Sequence, residues 1–226
     1  MRRAQQVLRS VKQRVILHYA GVSAQPWERL WAIWSTRLPP PKAAAISRLR
    51  EPADRNASLL GLALLESALL SVGLVFDPAE IAYPASGKPQ LRGGPDFSIS
   101  HAGGLVGCAV ALRGSVGFDL EAVGAVTVGQ LRLALGAAEH AELAAGARDP
   151  TVAWVQSEAA LKALGLRAAQ APRVRLAGVT ASVDDSRLFL SPAQLGPDHV
   201  AWLAHSSPEI DLTTVECSAG GFAELS

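Results

Sequence analysis

The chain has 226 residues, 49% hydrophobic and 18% charged, which excludes a disordered or fibrous polymer and is ample for a real core. Its net charge of +1 leaves no global field to draw in nucleic acid or an acidic membrane, so any anion site has to be local.

Residues 1–13 read as a basic extension, with Arg2, Arg3, Arg9 and Lys12 and no acid. The apolar stretch at residues 15–17 ends at His18, short of the ~7–15 residues of a secretion signal. No apolar run approaches the ~18 residues needed to span a bilayer; the longest candidate, residues 59–65, stops at Glu66. The expected location is cytoplasmic.

Residues 14–20 are predicted to form an opening strand. Residues 26–38 then place Trp27, Leu30, Trp31 and Trp34 at helical spacing, which assigns the tryptophans to packing. Three prolines at 39–41 break the chain, and a helix starting near Lys42 is interrupted at Pro52. Asp54 is expected to cap the next helix, which runs to about Ser71. Residues 77–95 are rich in Gly and Pro and read as loop. Three strands follow at residues 97–100, 106–113 and 116–122, with tight glycine-containing connections. Cys108 lies in the apolar run of the second and reads as a buried, reduced thiol; with Cys217 it is too little for a disulfide framework or a paired-cysteine metal site. Helices are predicted over 127–145 and 151–166, then strands at 173–176, 177–183, 187–190, 200–205 and 210–215. Strands cluster instead of alternating with helices, so the fold class is α+β. A faint repeat relates residues 97–120 to residues 188–212 and suggests two similar halves with a cleft between them.

Three places carry residue types suited to chemistry. Asp119 and Glu121 flank Leu120 on a strand; residues two apart face the same way, so both carboxylates converge on one side. Converging carboxylates repel unless a cation lies between them, and Mg2+ suits one or two protein carboxylates completed by water and phosphate oxygens. Trp154, Glu158 and Lys162 are spaced by four on a predicted helix and share a face. Ser100 and His101 end a strand before Gly103 and Gly104, where bare backbone approaches a ligand closely. A hydrolase triad with Asp119 is excluded, because adjacent strand side chains diverge and no GxSxG elbow exists. Read singly, each element also has a plain structural explanation: a solvated strand end, a helix ion pair, a satisfied histidine. Lys88, in Gly87-Lys88-Pro89, is by itself an ordinary loop lysine.

Taken together and in order, Gly87-Lys88-Pro89, the run from Phe97 to His101, Val116-Gly117-Phe118-Asp119-Leu120-Glu121 and the helix from Trp154 to Lys162 resemble the 4′-phosphopantetheinyl transferase superfamily. The likeness is to its larger, pseudo-dimeric type, which activates polyketide and nonribosomal-peptide synthase carrier proteins, and it covers residues 42–215. The resemblance implies two similar α/β subdomains, residues 14–122 and 123–226, with the active site in the cleft between them. It implies Mg2+, with Mn2+ as a substitute, held by Asp119, Glu121 and Glu158. Glu158 would also serve the acceptor serine as general base, directly or through a water, and Lys162 would meet the pyrophosphate. Coenzyme A would be contacted by Lys42, Gly87, Lys88, Pro89, Ser100, His101 and Lys162, with His101 on the 3′-phosphate. The expected partners are coenzyme A and an acyl or peptidyl carrier protein, with no nucleic acid and no membrane, and the expected state is a monomer.

The chain departs from the family pattern twice. Ser157 stands where a lysine usually precedes the helical glutamate, and Ala57 stands where an arginine is common, with Arg55 or Arg48 as stand-ins from another turn. These departures keep a second reading open: a non-catalytic relative that binds coenzyme A or a carrier protein. A third, a Mg2+-dependent hydrolase of a nucleotide diphosphate, accounts for the carboxylates and lysine but ordinarily has denser acidic clusters.

Overall fold

A computed structural model describes residues 12–24, 27–84, 87–132 and 134–218. The basic stretch 1–11 and the expected helix start at residue 26 lie outside the described residues. The opening strand β1 spans Gln13–Gly21, followed by helices α1 (Trp27–Trp34), α2 (Pro40–Ser47) and α3 (Pro52–Leu70). Strands β2 (Ile81–Ala82) and β3 (Gln90–Leu91) form a small hairpin, and β4 (Asp96–Ala102), β5 (Leu105–Ala111) and β6 (Val116–Ala122) succeed one another directly. Helices α4 (Val128–Leu131), α5 (Ala137–Ala144) and α6 (Pro150–Ala163) lead into β7 (Val174–Ala177), β8 (Thr180–Val183), β9 (Ser186–Ala193), β10 (His199–His205) and β11 (Ile210–Glu216). The fold is mixed α+β, as expected.

One sheet has the order β11-β1-β5-β4 and the other β6-β10-β9-β8-β7. β6 leaves its neighbour β5 to pair with β10 in the second sheet. β11 leaves β10 and returns to the first sheet, where it runs parallel to β1 from Gln13↔Ile210 to Tyr19↔Glu216. Each sheet thus lends a strand to the other.

Side-chain alternation explains the layering. Along β1, Ile16 and Ala20 join the cluster under α1–α3, whereas Val15 and Leu17 face the second sheet with Ala109, Phe118, Leu120 and Leu203. α3 covers the outer face of the first sheet, and from Leu59 through Glu66 it is buried on every side. Each fully buried leucine there contributes about 1.5–3 kcal/mol relative to an exposed one. α6 covers the second sheet, seated on β6 and β10, and its Ala159, Ala160 and Leu161 are fully buried. A Cβ at Gly117 would sit 1.9 Å from the Ala159 carbonyl oxygen, so glycine is what lets α6 lie directly on β6.

Several local details differ from expectation for physical reasons. α3 begins at Pro52 with extended Glu51 at the N-cap position, because proline is preorganised for the first helical turn. Asp54 falls inside that turn, where its carboxylate faces the positive end of the helix dipole instead of capping it. The single helix expected over 127–145 is two, since Gly136 is extended (φ −64°, ψ 158°) and starts α5 anew, while Thr127 and Gln130 close a capping box on α4. Residues 177–183 split into the end of β7 and the whole of β8. The stretch 77–95 contains the β2–β3 hairpin, too short to leave an alternation signal.

Trp34 is core at 1% exposure, while half-buried Trp27 and Trp31 stack with ring centroids 5.0 Å apart, so packing is the tryptophans' role. Cys108 is buried and free, its thiol pushed up by burial. Among the described residues, no helix is long and apolar enough to cross a membrane.

Candidate active site

The two sheets meet along β4 and β6, and side chains of β4 stitch the seam. Ser98 Oγ accepts from the Phe118 amide at 3.0 Å, and Asp96 Oδ2 accepts from the Val116 amide at 2.8 Å. Ser100 Oγ donates to Asp119 Oδ1 at 2.7 Å. Residues 96, 98 and 100 share one strand face: the oxygens of Asp96 and Ser98 take the place of backbone carbonyls toward β6, and Ser100 meets the side chain of Asp119.

That seam fixes the chemistry-bearing groups. Asp119 is 5% exposed; its Oδ1 also accepts from Lys162 Nζ at 2.6 Å, and Lys162 donates to Ser100 Oγ at 2.9 Å. Ser100, Asp119 and Lys162 therefore form a closed triangle joining β4, β6 and α6. The helical spacing suggested a Glu158–Lys162 pair; Lys162 instead reaches across to β6. Asp119, Glu121, Glu158, Lys162, Ser100, His101, Ile99 and Trp154 line one cleft of about 320 Å³. The expectation that Asp119 and Glu121 converge is met, with Leu120 on the opposite face and buried in the core.

The electrostatics are those of an under-neutralised acidic cleft. Burial, and then the charge of Asp119, pushes Glu121 and Glu158 above the ordinary carboxylate range, against a downward pull from Lys162. Glu158 Oε1 is buried without a hydrogen-bond partner. A buried acceptor in that state costs about 1–3 kcal/mol unless something positive reaches it. This orphaned oxygen, beside two further carboxylates, fits a divalent cation of the Mg2+ kind, which needs only one or two carboxylates. Among the described residues no three His, Cys, Asp or Glu side chains are already gathered at ligand distance, and Lys162 holds one oxygen of Asp119. A cation here would therefore engage Glu158 and Glu121 first.

The remaining expected residues fall on both sides of this cleft. Gly87, Lys88 and Pro89 share a second cleft, about 350 Å³, with Ile99, Glu158, Lys162 and Arg167. Lys88 itself is turned into the seam: Nζ donates to Asp96 Oδ2 at 2.6 Å and to the Val116 carbonyl at 2.9 Å, with its side chain 8% exposed. Its place is that of a strut between the sheets. Lys42 and His101 line a third cleft, about 160 Å³, with Ser58, Tyr83, Pro89 and Ala57. Ile99 lines all three clefts, Pro89 the second and third, and Lys162 the first and second, so the clefts adjoin one another. Ser100 and His101 diverge as adjacent strand residues must: the hydroxyl is buried on Asp119, the imidazole exposed toward Ala57.

The two departures also have places. Ser157 is fully buried and its hydroxyl returns a hydrogen bond to the Ala153 carbonyl at 2.8 Å, so it lies on no surface a partner touches. Ala57 forms part of the groove wall beside His101. Arg55 lies over Trp27 at 5.4 Å and Arg48 is exposed on the first turn beyond α2. Sequence reasoning missed Asp96, Ser98 and Tyr83, whose partners are distant in the chain. A scan against protein-family models finds no match, and a search of curated proteins returns none either.

Proposed function

We propose that this chain is a Mg2+-dependent 4′-phosphopantetheinyl transferase, which moves phosphopantetheine from coenzyme A to a serine of an acyl or peptidyl carrier protein. The observation that carries the reading is the pair of adjoining clefts, joined at Ile99 and His101, in which Asp119, Glu121, Glu158, Lys162 and Ser100 line one and Lys42 the other, although these residues come from four separate elements. The two helix-covered sheets, which lend each other a strand, are consistent with a pseudo-dimer whose site lies at the seam.

In this reading the serine hydroxyl of the carrier attacks the phosphorus that bears pantetheine. A new P–O bond forms, the pyrophosphate bridge breaks, and adenosine 3′,5′-bisphosphate leaves. A cation held by Asp119, Glu121 and Glu158 would neutralise phosphate charge in the transition state. Glu158, held above the usual carboxylate range by burial, is suited to take the serine proton. Lys162 steadies the departing phosphate, and Ser100 holds Lys162 and Asp119 in register. Lys42 and His101 take the ribose 3′-phosphate. The nucleophile belongs to the partner, which accounts for a groove without an activated Ser or Cys of its own. Phosphoryl transfer asks the protein chiefly for such positioning and charge.

The test is the intact mass of an apo carrier protein incubated with the enzyme, coenzyme A and Mg2+, with and without chelator. The expected outcome is a chelator-sensitive gain of one phosphopantetheine. Coenzyme A binding with no gain on several carriers would favour the non-catalytic relative, a reading to which the Lys162–Asp119 pair lends support by holding a candidate metal ligand.

A further inference from the structure

The geometry points to Tyr83 as the positioning residue that holds the Lys42 ammonium over the groove and so sets the preference for a donor carrying a ribose 3′-phosphate. The inference rests on the proposed function for the identity of the donor, but the site itself is read from the residues.

Lys42 lies on α2 and has no carboxylate among its described contacts; what it meets is the face of Tyr83, with Nζ 4.5 Å from the ring centroid. That distance is well inside the ~6 Å within which a cation is drawn to an aromatic face. Lys42 is half-buried and burial alone lowers its pKa, so a neighbour that stabilises the charged form without neutralising it keeps the ammonium ready for an anion. A carboxylate partner would compete with phosphate for the same proton donors; a ring does not.

Tyr83 is placed for this by its hairpin. It directly follows β2, which pairs with β3, and the described residues Gly87, Lys88 and Pro89 directly precede β3. Tyr83 is 47% exposed and lines the same 160 Å³ cleft as Lys42, Ser58 and His101. Four side chains of that cleft are able to donate to phosphate oxygens: the Lys42 ammonium, the Ser58 and Tyr83 hydroxyls and the His101 imidazole. Only the ammonium depends on a long flexible side chain for its position, and the ring limits where that chain can go.

The experiment is calorimetric binding of adenosine 3′,5′-bisphosphate and adenosine 5′-monophosphate to the full chain, to Tyr83→Phe and Tyr83→Leu, and to both leucine and wild-type position 83 in a Lys42→Met background. Tyr83→Leu is expected to weaken the bisphosphate about three- to tenfold and the monophosphate by less than twofold. Tyr83→Phe keeps the ring and restores wild-type binding, and in the Lys42→Met background Tyr83→Leu costs nothing further. An equal loss for both nucleotides, a loss that persists without Lys42, or no binding of either nucleotide would overturn the inference. Absence of transfer to any carrier while this binding pattern holds would sink the proposed function alone. Transfer with no effect of Tyr83→Leu would sink the positioning role alone.

Discussion

Glu158 concentrates the conflict between stability and function in a single side chain. Its Oε1 is buried without a partner, and its carboxylate is held above the normal range by burial and by Asp119. Glu158→Gln removes the charge and keeps the shape, so in the absence of divalent cation the variant is expected to unfold about 1 kcal/mol later than wild type. Its transfer rate should fall by about a hundredfold or more, because an amide neither accepts the serine proton nor draws a cation. Urea unfolding in chelator, set beside the transfer assay, checks both halves. Loss of stability in chelator would mean that the orphaned oxygen is not a burden. Much of this residue was legible beforehand: spacing by four put Glu158 and Lys162 on one helix face, and spacing by two did the same for Asp119 and Glu121. What spacing could not show was that Lys162 crosses to Asp119, since that depends on Gly117 letting the helix down onto the strand.

At the level of elements, the seam between β4 and β6 is the determining feature. Regular strands were readable because alternation leaves a local signal, and the Gly103-Gly104 turn, with φ of 57° and 79°, closes β4 and β5 in the two-residue way such glycines favour. The seam leaves no such signal. Asp96, Ser98 and Lys88 look like ordinary strand and loop residues until β6 lies beside them. The resemblance placed Lys88 on coenzyme A, whereas the structure puts its ammonium on Asp96 and the Val116 carbonyl. Lys88→Met should therefore lower unfolding free energy by about 1–3 kcal/mol, as expected for a buried hydrogen-bonding group left without its partner. A variant of wild-type stability that only binds coenzyme A more weakly would restore the ligand role.

The whole molecule carries two buried histidines that do not line the three clefts. His18 and His205 are 4% and 2% exposed, and desolvation lowers the pKa of each below 6.5, against a smaller upward pull on His205 from the Ser207 carbonyl. His205 is further tied to Ser191 Oγ at 2.9 Å, and His18 to Ser67 Oγ at 3.1 Å. A group whose folded pKa lies below its unfolded value contributes stability above the unfolded value, and that stability is lost as pH falls through the folded one. Urea midpoints should therefore hold steady above pH ~7 and decline as pH drops below ~6.5. Replacing both histidines with glutamine should flatten that decline; an unchanged slope would assign it to other groups. The architecture as a whole was legible as α+β, yet the exchange of β6 and β11 between sheets was not, because a strand's composition does not name its neighbour.

The parallel pairing of β1 with β11 has a mechanical consequence. Their residues Tyr19 and Glu216 stand side by side though 197 positions apart in the chain. Tension applied ahead of Gln13 and beyond Glu216 would draw the two strands lengthwise past one another, loading the whole row of hydrogen bonds at once. Tension applied across Asp96 and Ala111, the open end of the β4–β5 hairpin, would instead open its bonds singly, like a zipper. The first sheet is thus clasped where the chain enters and leaves it, and stretching the protein between those points loads that clasp directly and in shear.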